Sequence, residues 1–414
     1  MMLTSALLPL LLIAATPGPN WPGFRGDGTS VSSLEQLPLR WSDDSGIAWK
    51  ADLADYGQSS PVVWGDLVFV TSAAGESKET DVVRCVELAT GKTRWEREFA
   101  ATQKVMASDY VSRAAPTPVV DREHVFAFFE SGDLAALDHA GQEMWRRSLT
   151  AEYGEFKGNH GVGASLAQTD DLVIVLADHD GPSYLLAIEK STGKNRWKLD
   201  REPRVSWSSP VIASGPEPQI IVSSAGIVEA YRAADGKAIW SLEGLEGNTV
   251  PSATVAGDLI LVGSGDAGHN LALRRDRSGK LADGDIAWRL KNESTSFSSL
   301  LAYQGRVFMV NRAGAAFCVD QKDGKVLWTH RLSGSCWASP LGGAGRVYFF
   351  GKDGVTTVIK ADAAEFESLA ENRLTVEDRV YGVAAVPGAF VLRTGSKLIC
   401  VGKPQPPAPS AKKS

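Results

Sequence analysis

Residues able to do chemistry fall at equivalent places in a repeated pattern. Aligning the segments that open each unit puts Gln58, Ala115, Gly163, Trp207, Val250, Ser298, Trp337 and Tyr381 in one ring. Tyr56, Arg113, His160, Asn248 and Phe297 lie within three residues of a ring position. Aromatic faces beside an arginine and a histidine suit a planar or anionic ligand. The same aromatics suit a plug that keeps water out of an axial channel, and catalysis is a third reading. A second cluster is Asp178-His179-Asp180-Gly181, matched two units later by Asp266, Gly268, His269 and Asn270. Aspartate and histidine ligate metals. Aspartate, asparagine and glycine are also what tight hairpins require. One unit separates the two loops, so turn chemistry is the expected role and no metal site is expected.

What must position these residues is a repeat. Thr90-Gly91-Lys92 with Trp95 and Thr192-Gly193-Lys194 with Trp197 are whole copies of T-G-K-x-x-W. Worn copies are Asp235-Gly236-Lys237 with Trp240 and Asp323-Gly324-Lys325 with Trp328. Looser ones are Gly141 with Trp145, and Gly279-Lys280 with Trp288 after a short insertion. A period of about 40–50 residues marks one supersecondary unit copied many times. Each unit opens on a Ser/Pro cluster, as in SSPVVWGDLVFV from Ser59, and turns at Gly, Asp or Asn into a second apolar strand. A third strand carries A-x-D/E, and a fourth carries the tryptophan. Short alternating strands with turns every 8–12 residues argue for an all-β fold. Helical periodicity is confined to residues 361–371, where the seventh unit has lost its motif.

Four strands per unit predict a β-propeller of four-stranded antiparallel blades. Openings near Ser59, Pro116, Gly163, Ser208, Pro251, Phe297, Trp337 and Tyr381 predict eight. The last unit stops at Gly402 without its tryptophan strand, and the missing strand is residues 47–53 with Trp49 in the slot. The N-terminal strand is therefore expected to close the C-terminal blade, removing an open sheet edge. Trp49, Trp95, Trp145, Trp197, Trp240, Trp288 and Trp328 are expected to dock between blades, each indole N–H on a backbone carbonyl.

The domain plan is a signal peptide or N-terminal anchor over 1–16, a lead-in over 17–46, the propeller over 47–402 and a disordered tail over 403–414. The apolar run of residues 7–15 is too short to span a bilayer and suits a signal core. Export to the periplasm or cell exterior is expected, without lipid anchoring, since Cys85 is the first cysteine. Cys85, Cys318 and Cys400 align with Ala136, Ala187, Ala230 and Ala272, a slot for small buried side chains. Free thiols are expected there and at Cys336. A formal net charge of −6 leaves no basic footprint for nucleic acid. A monomer with no membrane span beyond the possible anchor is expected.

The pattern A-x-D-x-x-T-G-K-x-x-W resembles the tryptophan-docking repeat of the pyrroloquinoline-quinone-like (PQQ-like) β-propellers. That superfamily holds the quinoprotein alcohol dehydrogenases and the outer-membrane assembly lipoprotein BamB. The resemblance covers nearly all of the chain after Trp41. Residues 21–30, WPGFRGDGTS, also resemble the lead-in of bacterial exported proteins of this type. For the dehydrogenases the resemblance implies an adjacent Cys-Cys disulfide over the cofactor, a calcium held by acidic and amide residues, and a catalytic aspartate. No two cysteines are adjacent here, and no such acidic set carries over. No HExxH, G-x-S-x-G or Walker-type loop is present either. The reading is an exported non-catalytic propeller binding a protein or extracellular ligand through its top face, with no cofactor expected. The alternatives are a PQQ-dependent oxidoreductase and a polysaccharide-acting propeller.

Overall fold

The computed structural model describes residues 20–104 and 113–405. The expected signal or anchor, residues 105–112 of one long top connection, and the tail from residue 406 lie outside these residues. Eight antiparallel meanders form the blades. Blade 1 is Val62–Trp64, Leu67–Ala74, Thr80–Glu87 and Thr93–Ala100, from the axis outward. Blade 8 is Gly382–Val386, Ala389–Arg393 and Lys397–Gly402, with Ile47–Asp52 as its outermost strand. Trp49 pairs with Cys400, so the N-terminal strand closes the ring as expected.

The slot opposite each tryptophan explains the small residues. Cys85 faces Trp95, Ala136 faces Trp145, Ala187 faces Trp197 and Cys318 faces Trp328. All four cysteines are free and buried. The indoles of Trp49, Trp95, Trp145, Trp197 and Trp288 donate to carbonyls of the next blade at 2.7–2.9 Å. Each also lies on the next turn's glycine. Gly193 has φ of 70°, and a Cβ there would meet Trp145 at 2.7 Å. Glycine is thus required twice, for its left-handed backbone and for the indole.

Two seams depart from the expected docking. The insertion of blade 5 carries Gly279–Lys280 away as a fifth, parallel strand on blade 4, paired with Trp240 and Ser241. Gly279 therefore seats no indole, and buried Trp240 Nε1 has no partner among the described residues. Blade 7 lacks the glycine turn, and Phe366 packs edge-on against Trp328 at 5.4 Å instead. The helix expected over 361–371 is not formed. Ser368–Arg373 is the fourth strand of blade 7, with Ala370 opposite Val358 in the tryptophan slot.

The Ser/Pro clusters build a belt around the axis. The backbone N–H of Ser60 donates to Thr117 Oγ1, and Thr117 N to Ser165 Oγ. Ser165 N then donates to Ser209 Oγ, Ser209 N to Ser252 Oγ, Ser252 N to Ser299 Oγ, and Ser299 N to Ser339 Oγ. These six bonds run from 2.8 to 3.1 Å, each from one blade to the next. Gly382 holds the position in blade 8, where a Cβ would sit 2.1 Å from Ser60 Oγ. Ser209→Ala should leave the buried N–H of Ser165 without an acceptor. The expected loss is about 1–3 kcal/mol, read as a lower urea midpoint at unchanged slope.

The lead-in straps the bottom face, where the T-G-K turns lie. Trp21 bridges Val63 of blade 1, and Val120 N of blade 2 donates to Pro22 O at 2.9 Å. Arg25 reaches blade 5, donating to Thr254 Oγ1 at 2.7 Å and Ala253 O at 2.6 Å. Burial pulls this guanidinium down to about 10, with Asp27 acting against it. Val31 then bridges Gly342 of blade 7. Trp41 N donates to Asn372 Oδ1 at 2.8 Å before the chain enters blade 8.

Candidate functional site

Six of the expected top-face residues form one continuous arc over blades 2, 1, 8, 7 and 6. Tyr56 and Tyr381 share a hydroxyl hydrogen bond of 2.6 Å. Gln58 ties this pair to blade 2, because its Oε1 accepts from Arg113 N at 3.1 Å and its Nε2 reaches Tyr381 Oη at 3.5 Å. The Arg113 guanidinium lies over the Tyr56 ring at 5.1 Å. Trp337 stands edge-on to Tyr381 at 5.9 Å and tilts against Phe297 at 5.0 Å. Arg379 lies over Trp337 at 4.7 Å. Every member is half-buried. Burial first, then the bond to Tyr381, pushes the Tyr56 hydroxyl above the ordinary tyrosine range. Tyr56 therefore keeps its proton at physiological pH and serves as a hydrogen-bonding group.

His160 and Trp207 make a second pair, with rings 5.7 Å apart. Trp207 is fixed by Nε1 donating to Gly161 O at 2.9 Å. Asn248 does not face the mouth. It is fully buried, its amide donates to Ser223 Oγ and Ile227 O, and its Oδ1 accepts from Gly226 N. Its role is to brace the second hairpin of blade 4.

Arg393 escaped sequence reasoning. It is fully buried beneath the tyrosine pair, and burial lowers its pKa to about 9. Its guanidinium donates to Gly57 O at 3.1 Å, Gly395 O at 3.0 Å and Ser72 Oγ at 3.1 Å. These bonds stitch blade 8 to the segment presenting Tyr56. A Cβ on Gly395 would come 2.1 Å from Tyr56 Cε2, so the ring rests on that glycine. The available signal was an arginine ending the apolar strand AFVLR.

The aspartate and histidine loops are built as hairpins. Asp178 is buried and accepts from Arg201 Nε at 3.0 Å and from Ser224 Oγ. His179 Nδ1 accepts two backbone N–H groups, from Gly181 at 2.9 Å and Lys157 at 3.1 Å. Burial lowers its pKa, which leaves a neutral ring with its proton on Nε2. Asp180 is exposed. In blade 5 the Asn270 amide donates to Ser264 O and Asp266 O, closing the turn, and His269 Nδ1 accepts from Glu246 N at 3.2 Å. Among the described residues no three His, Cys, Asp or Glu side chains gather as a metal site.

The quinone site that the resemblance implies does not fit. No two of the four buried, free thiols are adjacent in sequence, and burial pushes Cys85, Cys336 and Cys400 to about 12 and Cys318 to about 11. They cannot form a vicinal disulfide, and no acidic set stands ready for calcium among the described residues.

The bottom face, opposite the aromatic arc, holds a cavity of about 1090 Å³ between the lead-in and blades 1 to 4. The strap that makes it lies outside the repeat.

Comparison with known proteins agrees with this architecture. BamB of Yersinia pestis is 22% identical over 342 residues, covering 78% of this chain and 79% of the relative. The crystal structure of BamB from Moraxella catarrhalis superimposes with a TM-score of 0.63 at 13% identity, covering 86% of this chain and 99% of that one. Quinohemoprotein alcohol dehydrogenase from Comamonas testosteroni gives 0.69 at 14% identity, covering 95% and 82%. These structural likenesses establish the fold. The family model described as outer membrane protein assembly factor BamB matches residues 17–157, 130–283 and 277–369, and the chain belongs to that family of PQQ-like β-propellers.

Proposed function

We propose that this chain is an exported, non-catalytic propeller that binds a protein partner through its top face. The observation that carries the reading is the arc from Arg113 through Tyr56, Tyr381 and Trp337 to Phe297. Half-exposed aromatics and arginines, held rigid by one another, are what protein interfaces concentrate at their centres. Among the described residues of the arc, Tyr56 keeps its proton and serves as a hydrogen-bonding group. The Yersinia pestis relative and the family model are both named outer membrane protein assembly factor BamB, which supports a partner in that process.

A photo-crosslinking amino acid placed at 337 or 207 in cells should give a discrete protein adduct. Arg113→Ala should reduce the adduct at 337 severalfold. The reading is overturned if 337 and 207 give none, or if the protein takes up PQQ with calcium and shows an absorbance change and a raised thermal midpoint.

A further inference from the structure

The cavity under the lead-in has a chemistry distinct from the funnel. Its volume of about 1090 Å³ lies just above the usual ~300–1,000 Å³ range of small-molecule pockets. One wall is the strap 22–28, and the others are the first hairpins of blades 2 and 3 and the first strand of blade 4. The floor is apolar, with Trp64, Leu166 and Ile212.

The rim is negative. Five carboxylates line it, against Arg122 and Lys190, and one of the five, Asp171, is paired with Arg196 at 3.4 Å. Lys190 is already spent on Asp121 at 2.9 Å. Glu123 and Asp170 are exposed on adjacent hairpins. Gln168 adds an oriented acceptor. Its Nε2 donates to Val120 O at 2.9 Å and to Pro22 O at 3.4 Å, so a flipped amide would set oxygen against two carbonyls. Its Oε1 is buried without a donor among the described residues. A ligand here must bring positive charge and N–H donors above an apolar surface. The excess of carboxylates favours a cation over a neutral sugar and opposes any polyanion.

We infer that this cavity docks an extended segment of a protein partner bearing lysine or arginine, with apolar side chains on the floor and cations at the Glu123 and Asp170 rim. The inference rests on the protein-binding reading for its class of ligand, but the site lies on the opposite face.

The probe is a fluorescein-labelled (Lys-Pro-Ala)3 peptide, titrated against the full chain by anisotropy. Binding is expected, weakened at least tenfold by Glu123→Lys with Asp170→Lys and weakened by salt. Both residues are exposed turn positions, and an unchanged thermal midpoint checks the fold. Ile212→Trp, which fills the floor, should weaken binding without changing charge. The double variant Arg113→Ala, Trp337→Ala should bind as the parent does, which separates this site from the top face. The inference is overturned by absence of binding, by equal binding of (Glu-Pro-Ala)3, by indifference to the charge reversals, by a chitooligosaccharide binding in the peptide's place, or by a dimer closing the cavity in light scattering.

Discussion

Arg201→Ala should lower stability by about 3–5 kcal/mol, among the largest single losses in this propeller. The Arg201 side chain is 2% exposed and that of Asp178 is fully buried. The guanidinium donates to Asp178 Oδ1 at 3.0 Å, Glu229 Oε2 at 2.8 Å and Tyr231 Oη at 2.9 Å. Arg201 and Asp178 belong to blade 3, and Glu229 and Tyr231 to blade 4, so the network pins one seam. Burial alone would pull this arginine down, yet Asp178 and Glu229 hold it above its ordinary value. Removing it strands a buried carboxylate that keeps only the hydroxyl of Ser224. The surface pair Arg147–Glu152 has more solvent around it, and breaking it should cost at most about 1 kcal/mol. The mechanism has a sharper test. Arg201→Met combined with Asp178→Leu should recover most of the loss, because no charge is then left unpaired. Urea midpoints at constant slope measure both effects. A chelator should not shift the parent, since its Asp178 is spent on Arg201. A chelator-sensitive midpoint would return Asp178 and His179 to the metal reading.

Much of the fold was legible because its physics is local. A glycine at positive φ is a turn that seats the preceding blade's indole, and the tryptophan after it docks on the next blade's glycine, so Thr192-Gly193-Lys194 with Trp197 carries both halves of the docking in one motif. The missing last strand pointed to Trp49 by the same logic. Where sheet context overrides local preference, the reading failed. Residues 361–371 are rich in Ala and Glu, yet the open edge of blade 7 recruits Ser368–Arg373 as a strand. The short insertion at Gly279 was visible, but its capture by the neighbouring blade was not. Of the candidate site, most of the ring residues were found from alignment alone, since first strands must surround the axis. Asn248 fits that alignment and still turns inward, because a hairpin needed its amide more than the mouth did. Residues 17–46 had no repeat to align with. The strap and the cavity under it were therefore invisible until tertiary contacts placed them.

The second large effect is one of pH. Asp81, Glu130 and Asp133 come together at the top of the seam between blades 1 and 2, with Lys78 ion-paired to Glu130 at 3.0 Å. Asp81 is buried and accepts from Ser131 Oγ at 2.6 Å. Burial above all, with Glu130 and Asp133 adding to it, raises the Asp81 carboxyl from 3.8 to about 8, against the pull of Ser131 and Lys78. The folded state therefore holds a proton that the unfolded chain releases near pH 4. Stability linked to this group is full below pH 4, falls as pH rises towards 8, and is flat beyond. Each pH unit in that window is worth up to about 1.4 kcal/mol. Asp81→Asn keeps a neutral partner for Ser131 and removes the titration. The variant should match or trail the parent at pH 5 and exceed it by roughly 2 kcal/mol or more at pH 9. Urea midpoints of parent and variant at the two pH values isolate the term, because every other titrating group is shared. Parallel profiles would mean that Asp81 is ionised in the fold, with Lys78 and Ser131 enough to hold its charge.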